Sequence, residues 1–383
     1  MSSRKNSSRK SGFVSFCPIS SPGSPALLLF PINTTKKACY LQLNLIFIIM
    51  IFMKTFILFF FVIFSSAHLF ALMDFGAEEI IKAAGSDIDV GAFSVPSFFD
   101  WNNDSLDDLI IGDSSGKVRV FLNNGTINQP AFSNSFFVQA NGSDLQVSRS
   151  GCLGSFPRVV YWDDDAKKDL LVGDGVGYIT IFINTGSDTN PVFDAGTYVQ
   201  AGSPVSDIYV SGRATSSSVD WNDDGTNDII SGQMAGKVLV FINQGSNTNP
   251  VFQAGTNARL GGSDLSVPSN RSSPDFYDFD NDGKKDLICG NTDGNLLFYK
   301  NTNTVESPVF SNYVALTSLG VPIDLPNEPR SRPSFCDWNN DPFIDVLIGA
   351  QDGNVHLFPG TPEPSVILAL FFLLIFFTGR KRS

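Results

Sequence analysis

Short alternating runs separated by Gly, Asn and Pro set the pattern of the central part of this chain. "GKVRVFLNNG", "GYITIFINTG", "GKVLVFINQG", "GNLLFYKNTN" and "GNVHLFPG" each carry an apolar run that largely alternates, after a glycine-containing turn. A period of two belongs to strands, and the turn formers rule out long helices. The region is therefore predicted to be all-β, with almost no helix.

Each run follows an acidic loop. The loops are "DWNNDSLDDLIIG" at Asp100, "YWDDDAKKDLLVG" at Tyr161, "DWNDDGTNDIISG" at Asp220, "DFDNDGKKDLICG" at Asp278 and "DWNNDPFIDVLIG" at Asp337, with starts 61, 59, 58 and 59 residues apart. All four Trp of the protein, Trp101, Trp162, Trp221 and Trp338, stand at the second position, and Phe279 takes that place in the fourth copy. The first four copies continue into "QPAF", "NPVF", "NPVF" and "SPVF", and Asp87, Asp144, Asp207, Asp264 and Asp324 precede Ile or Leu on the way to the next loop.

A repeated unit of this length predicts about four antiparallel strands: one before the loop, one after it, the "VxVF" strand and the "PVF" strand. Such a repeated four-stranded sheet is a β-propeller blade. The fifth unit lacks its "PVF" strand, while "MDFGAEEIIKAAG" at the start of the region aligns with "PVFDAGTYVQAG". A ring of five blades over residues 74–358, closed by the N-terminal segment, is expected.

Composition then separates the ends from this region. Residues 1–73 contain no Asp or Glu, and "MKTFILFFFVIFSSAHLFA" from Met53 has the parts of a secretory signal, with small residues at Ser65 and Ala67. Residues 53–67 are read as that signal, and 1–52 as a leader or upstream over-translation. A membrane anchor over 41–64 is the competing reading, weakened by Lys54. At the C-terminus, "TPEPSVILALFFLLIFFTGRKRS" joins a Pro-Glu-Pro triplet, a short apolar run at 366–377 and a basic cluster at Arg380, Lys381 and Arg382. This order resembles the PEP-CTERM sorting tail of Gram-negative envelope proteins, which implies an exosortase as a processing partner. Residues 359–383 are assigned to that tail, with a transmembrane segment at 366–377 and the basic cluster on the cytoplasmic side. An exported protein of the cell envelope, surface or matrix is expected, in contact with the membrane only through its terminal segments.

Between the ends, residues 74–358 hold 37 acidic and 16 basic residues, a net charge of −21. Such a surface repels nucleic acid and attracts cations. Four carboxylate or amide side chains within nine residues repel one another unless a cation or water screens them, and a hard ion with oxygen ligands answers that need.

These loops resemble FG-GAP and VCBS repeats, the blade units of integrin α-subunit heads and of many secreted bacterial propellers. The resemblance spans all five units and implies calcium in each loop, held from positions one, three, five and nine and by the carbonyl at seven. The residues carried over are Asp100, Asn102, Asp104 and Asp108; Asp163, Asp165 and Asp169; Asp220, Asn222, Asp224 and Asp228; Asp278, Asp280, Asp282 and Asp286; and Asp337, Asn339, Asp341 and Asp345. Two copies depart from the pattern. Tyr161 replaces the first Asp of the second loop, and Pro342 stands where a positive φ is usual, which Pro cannot adopt. Asx-turns without metal are the alternative.

The function expected from this resemblance is non-catalytic binding or adhesion toward an extracellular protein or polysaccharide. A carbohydrate-active hydrolase or lyase with carboxylates at the channel is the alternative. Catalytic residues are not identified: His356 is read as a packed or edge residue, and nearly every prominent acid sits at a repeated position. Cys289 and Cys336 flank successive loops and could form a bridge or, with Cys152, fill the core as small apolar groups. Arg213, Arg271 and Arg330 each lie seven residues before a loop's first Asp. A salt bridge within each unit explains them, or a ligand-facing ring of charged pairs.

Overall fold

Five short strands with the sequences "DLIIG", "DLLVGD", "DIISG", "DLICG" and "DVLIG" are buried at every residue, and the rest of the architecture is arranged around them. The structure is a computed structural model that describes residues 74–147, 154–280, 282–325 and 330–361. All of these belong to the second of the chain's two units, residues 64–383. The leader, the signal segment, Cys152 and the apolar tail lie outside the described residues. Among the described residues no helix is long and apolar enough to cross a membrane.

The described residues are all-β, without helix, and form a β-propeller. In the fourth unit, Ser273–Tyr277 runs antiparallel to Asp286–Gly290, which pairs with Leu296–Tyr299, which pairs with Val314–Ala315. The second unit repeats this order with Ser155–Val160, Asp169–Asp174, Ile179–Phe182 and Thr197–Tyr198. The third does so with Thr215–Val219, Asp228–Gly232, Val238–Phe241 and Thr256–Asn257. In the first, Val95–Phe99, Asp108–Gly112 and Val118–Asn123 are followed by Phe132–Phe137. The last unit has Arg332–Cys336, Asp345–Gly349 and Val355–Phe358, and takes its fourth strand, Glu79–Ile80, from the N-terminal segment.

Apolar packing lies between sheets rather than within one central mass. Ile110, Val118 and Val120 of the first unit pack with Leu170 and Val172 of the second. The same arrangement joins second to third, third to fourth and fourth to fifth, and the fifth returns to the first through Leu347, Val355 and Leu357 against Leu109 and Ile111. A strand covered on both faces reads as a continuous apolar run, which is why the five buried strands do not alternate.

The glycine at or next to the end of each buried strand makes this approach possible. A Cβ on Gly112 would meet the Ser155 carbonyl oxygen at 2.2 Å, and one on Gly349 would meet that of Ser94 at 2.2 Å. Gly173, Gly232 and Gly290 meet Ala214, Ser272 and Ser331 in the same way, so each strand abuts the start of the next unit. At four of these seams a serine hydroxyl bonds across: Ser155 Oγ donates to Lys117 O at 2.6 Å, and Ser272, Ser331 and Ser94 repeat the bond.

The "PVF" segment differs from the expected fourth strand. Phe193 and Phe252 form single bridges, antiparallel to their own sheet and parallel to Ala140 and Ala201 of the preceding unit. The fourth strand is the segment that follows, Thr197–Tyr198 or Thr256–Asn257. The phenylalanine is drawn into the seam, where Trp101 lies 5.9 Å from Phe193, Trp162 5.8 Å from Phe252, Trp221 5.9 Å from Phe310 and Trp338 5.8 Å from Phe132. Phe279 and Phe75 share the remaining seam.

Closure involves three residues beyond 358, the first of them Pro359, whose carbonyl accepts the Gly76 N–H at 2.7 Å. Gly360 bridges Phe75, and the Thr361 hydroxyl donates to Asp74 O at 2.8 Å. The closing strand also carries His356, whose buried ring meets Glu78 Oε1 at 2.6 Å and Asp352 Oδ2 at 3.3 Å. Cys289 and Cys336 are buried free thiols in different seams, so of the two readings the bridge is absent and the small-apolar one holds for both.

Burial alone would lower the His356 pKa, but the bonds to Asp352 and Glu78 outweigh it and hold the pKa above its ordinary value. A raised histidine contributes stability that is complete below its unfolded pKa, about 6.5, and is lost as pH rises through the folded value. Thermal unfolding should therefore show a melting temperature that falls as pH rises above about 6.5, with a flatter profile in His356→Phe. Equal slopes in the two proteins would contradict this role.

Candidate functional site

The acidic loops join the first and second strands of each sheet, so register places them all at the same end of their sheets. Within them the ninth-position aspartate is fixed most firmly. Asp108 Oδ2 accepts the Trp101 N–H at 2.9 Å, and its Oδ1 accepts the Asn123 N–H at 2.7 Å. Asp169, Asp228, Asp286 and Asp345 repeat both bonds, to Trp162 and Asn184, Trp221 and Asn243, Phe279 and Asn301, and Trp338 and Gly360. One buried carboxylate thus ties the start of the loop to the end of the third strand.

Burial pushes these groups up. Asp108, Asp228 and Asp345 rise to about 6. Asp286 rises to about 7, again first through burial, with the carboxylates of Asp280 and Asp282 adding to it. Asp169 shifts in the same direction. Among the described residues no Lys or Arg forms an ion pair with a ninth-position carboxylate, and a bound cation would supply that countercharge.

The remaining positions shape the turn. Asp220 Oδ1 and Oδ2 accept the N–H groups of Asp224 and Gly225 at 3.1 and 3.0 Å, and Asp100 and Asp278 act alike. In the fifth loop, Asp337 keeps the bond from Asp341 N, at 3.2 Å. Asn102 and Asn222 donate side-chain N–H groups to Asp104 and Asp224, and Asn339 accepts the Asp341 N–H. The sixth position has φ of 69° at Ser105, 62° at Ala166, 86° at Gly225 and 84° at Gly283, so Pro342 does force a different turn.

The second loop, with Tyr161 at its start, lacks the first-position carboxylate but keeps the bonds from Asp165 N to Asp163 Oδ1 at 3.2 Å and from Lys167 N to Asp165 Oδ1 at 2.9 Å, and the Lys167 ammonium pairs with Asp165 at 2.6 Å. The carboxylates of Asp278, Asp280 and Asp286 in the fourth loop come together, with one oxygen from each within 4.8 Å of the others. Three oxygens at that separation fit a hard cation that draws the loop inward.

Three lysines add what the motif does not show. Lys300 stands where Ile183 and Ile242 occupy the second and third units, and its ammonium bonds Asp280 and lies 3.2 Å from Asp282 Oδ2. Lys168 is buried, bonds Asn103 of the first loop and pairs with Asp188 at 3.0 Å. Lys285 donates to Asp220 O of the third loop at 2.7 Å. Position eight of one loop thus fastens the loop before it. The sequence signal was only that position eight varies.

A model of the FG-GAP-like repeat matches residues 220–289, from the third loop to the strand after the fourth. No curated protein matches the chain. Among solved structures it is similar to a chain of the Tc holotoxin pore of Photorhabdus luminescens, at 12% identity and a TM-score of 0.37, over 75% of this chain and 15% of that one. This chain therefore spans a small part of the toxin chain. Two structures of BBS1N in complex with ARL6DN, soaked with lead and with mercury, are similar at 11% identity with TM-scores of 0.35 and 0.34, over 76% of this chain and 97% of each of those.

Replacing the ninth-position aspartate should leave two buried N–H groups without acceptors. Each such group costs about 1–3 kcal/mol. Asp228→Ala should thus lower unfolding stability by roughly 2–6 kcal/mol in denaturant titration, even in chelator. A loss seen only when calcium is present would assign the residue to metal alone.

Proposed function

We propose that this chain is a non-catalytic, calcium-stabilised propeller of five blades, one for each sheet, exported to the cell envelope and acting there as a binding or adhesion module. The observation that carries the reading is the repetition of one acidic loop at the same end of five successive sheets, with crowded, raised carboxylates at its base. When bound, calcium would neutralise that crowding and stiffen each turn. Asp278, Asp280, Asp282 and Asp286 would hold it in the fourth loop, and the corresponding Asp and Asn side chains in the others.

The alternative, a carbohydrate-active enzyme, calls for paired carboxylates along the inner strands. Those five strands contain one acid, Asp275. Its carboxylate accepts the Phe335 and Phe276 N–H groups and faces Arg158, which bonds Pro96 O and Pro333 O at 3.2 Å. This arrangement is a cross-channel tie, and it favours the binding reading.

Chelation with EGTA should lower the melting temperature, and native mass spectrometry should find bound calcium. An unchanged transition with no calcium found would remove the metal from the proposal. Lys300 should compete with the ion in the fourth loop. Lys300→Ile, the residue of the equivalent positions, should tighten calcium binding by isothermal titration, and an unchanged or weaker affinity would show that the ammonium does not occupy the ion's place.

A further inference from the structure

Among the described residues, Arg271 and Arg330, at the other end of the inner strands, do not form the salt bridges expected within their units. Asp264 bonds Arg259 and Asn257, not Arg271, and Asp207 takes the Gln200 amide. Arg213, Arg271 and Arg330 instead have left-handed backbones, with φ of 58°, 53° and 78°, as does Phe93 at the equivalent place in the first unit, at 57°. That turn occurs just before each inner strand and brings the side chains together around Arg332, the first residue of the last inner strand.

The cluster is cationic and enclosed. Arg332 is 2% exposed and Arg213 3%, while Arg271 and Arg330 are half-buried. Two rings back it: the Arg330 guanidinium lies 4.5 Å from the Phe93 centroid, and that of Arg332 lies 5.5 Å from Phe93 and 5.9 Å from Phe156. Burial first, then the charges of Arg213, Arg330 and Arg271, hold the Arg332 pKa well below its ordinary value. Arg332 Nη1 donates to Ser94 O and Ala350 O at 3.2 and 3.3 Å. Its Nε and Nη2, with Arg330 Nη1 and Arg271 Nη1, are buried without a hydrogen-bond partner. Among the described residues no carboxylate forms an ion pair with Arg271, Arg330 or Arg332.

Unpaired buried guanidinium groups are costly, and an anion would satisfy them. We propose that this end of the ring is an oxyanion site, in which Arg332, Arg330 and Arg271 receive a sulfate or phosphate group. The four donor nitrogens belong to three guanidinium charges, which a single carboxylate, with one negative charge, cannot neutralise. A tetrahedral group offers more oxygens and a second charge, and guanidinium forks suit it. The group would come either as the free ion or as an ester on a saccharide. This site lies apart from the acidic loops and does not rest on the calcium reading.

The test is a thermal-shift and calorimetric titration of the full chain, without added calcium, using sodium sulfate, sodium phosphate, glucose 6-sulfate and sodium chloride at matched ionic strength. Sulfate or phosphate should raise the melting temperature saturably, and chloride should not. Arg271→Gln/Arg330→Gln, which spares the buried seam contacts of Arg332, should weaken that binding at least tenfold while remaining folded by circular dichroism. Binding of the ester at least as tight as the free ion would assign a sulfated saccharide, and binding of the free ion alone would assign the inorganic anion. A gain that is linear in salt, the same with chloride, or unchanged in the variant would overturn the site. Should the double variant not fold, Arg330→Lys, which keeps the charge but not the fork, must weaken binding for the proposal to stand.

Discussion

A buried carboxylate that accepts two backbone N–H groups is the interaction on which the rest of each sheet depends. It joins the first residues of a loop to the end of the third strand, so that three strands and a turn share one fixed point. An aspartate placed this way cannot be exchanged for an apolar group without stranding both donors. The same fixed point sets the tryptophan at position two, which then reaches the phenylalanine of the following unit. Local loop chemistry and contact between sheets are in this way one arrangement.

The seams carry the second constraint. Glycine at the end of the buried strand lets the next unit's backbone come within contact distance, and the serine beside it supplies a hydroxyl across the gap. Because every apolar slab lies between two units, no single unit possesses a complete core. This is the physical reason that repeats of this kind fold as a set.

Much of this was legible in the sequence. The 58–61-residue spacing, the alternating runs and the alignment of "MDFGAEEIIKAAG" with a "PVF" segment led to the strands and to ring closure. The fourth strand was misplaced because "PVF" has the composition of a strand, whereas its phenylalanine serves the neighbouring unit. Lys300 was missed because a single change just after a strand is invisible beside a conspicuous motif. The arginines were paired with the nearest aspartates in sequence, although a left-handed turn at each directs it away from them. Backbone conformation at isolated positions is not readable from residue type when the residue is not glycine.

Charge is divided along the inner strands. The carboxylate-rich turns follow the last residue of each inner strand, and the guanidinium cluster surrounds the first. Arg158 and Asp275 lie on inner strands between the two.

The N-terminal strand Glu79–Ile80 and the C-terminal strand Val355–Phe358 lie side by side in one sheet. The point at which the chain enters and leaves the ring is therefore a matter of genetic order rather than of architecture. Joining the segment after Phe358 to that before Glu79 and opening another seam would preserve every sheet. The units would then be circularly permuted, and a partner fused at any seam could be presented at a chosen angle around the ring.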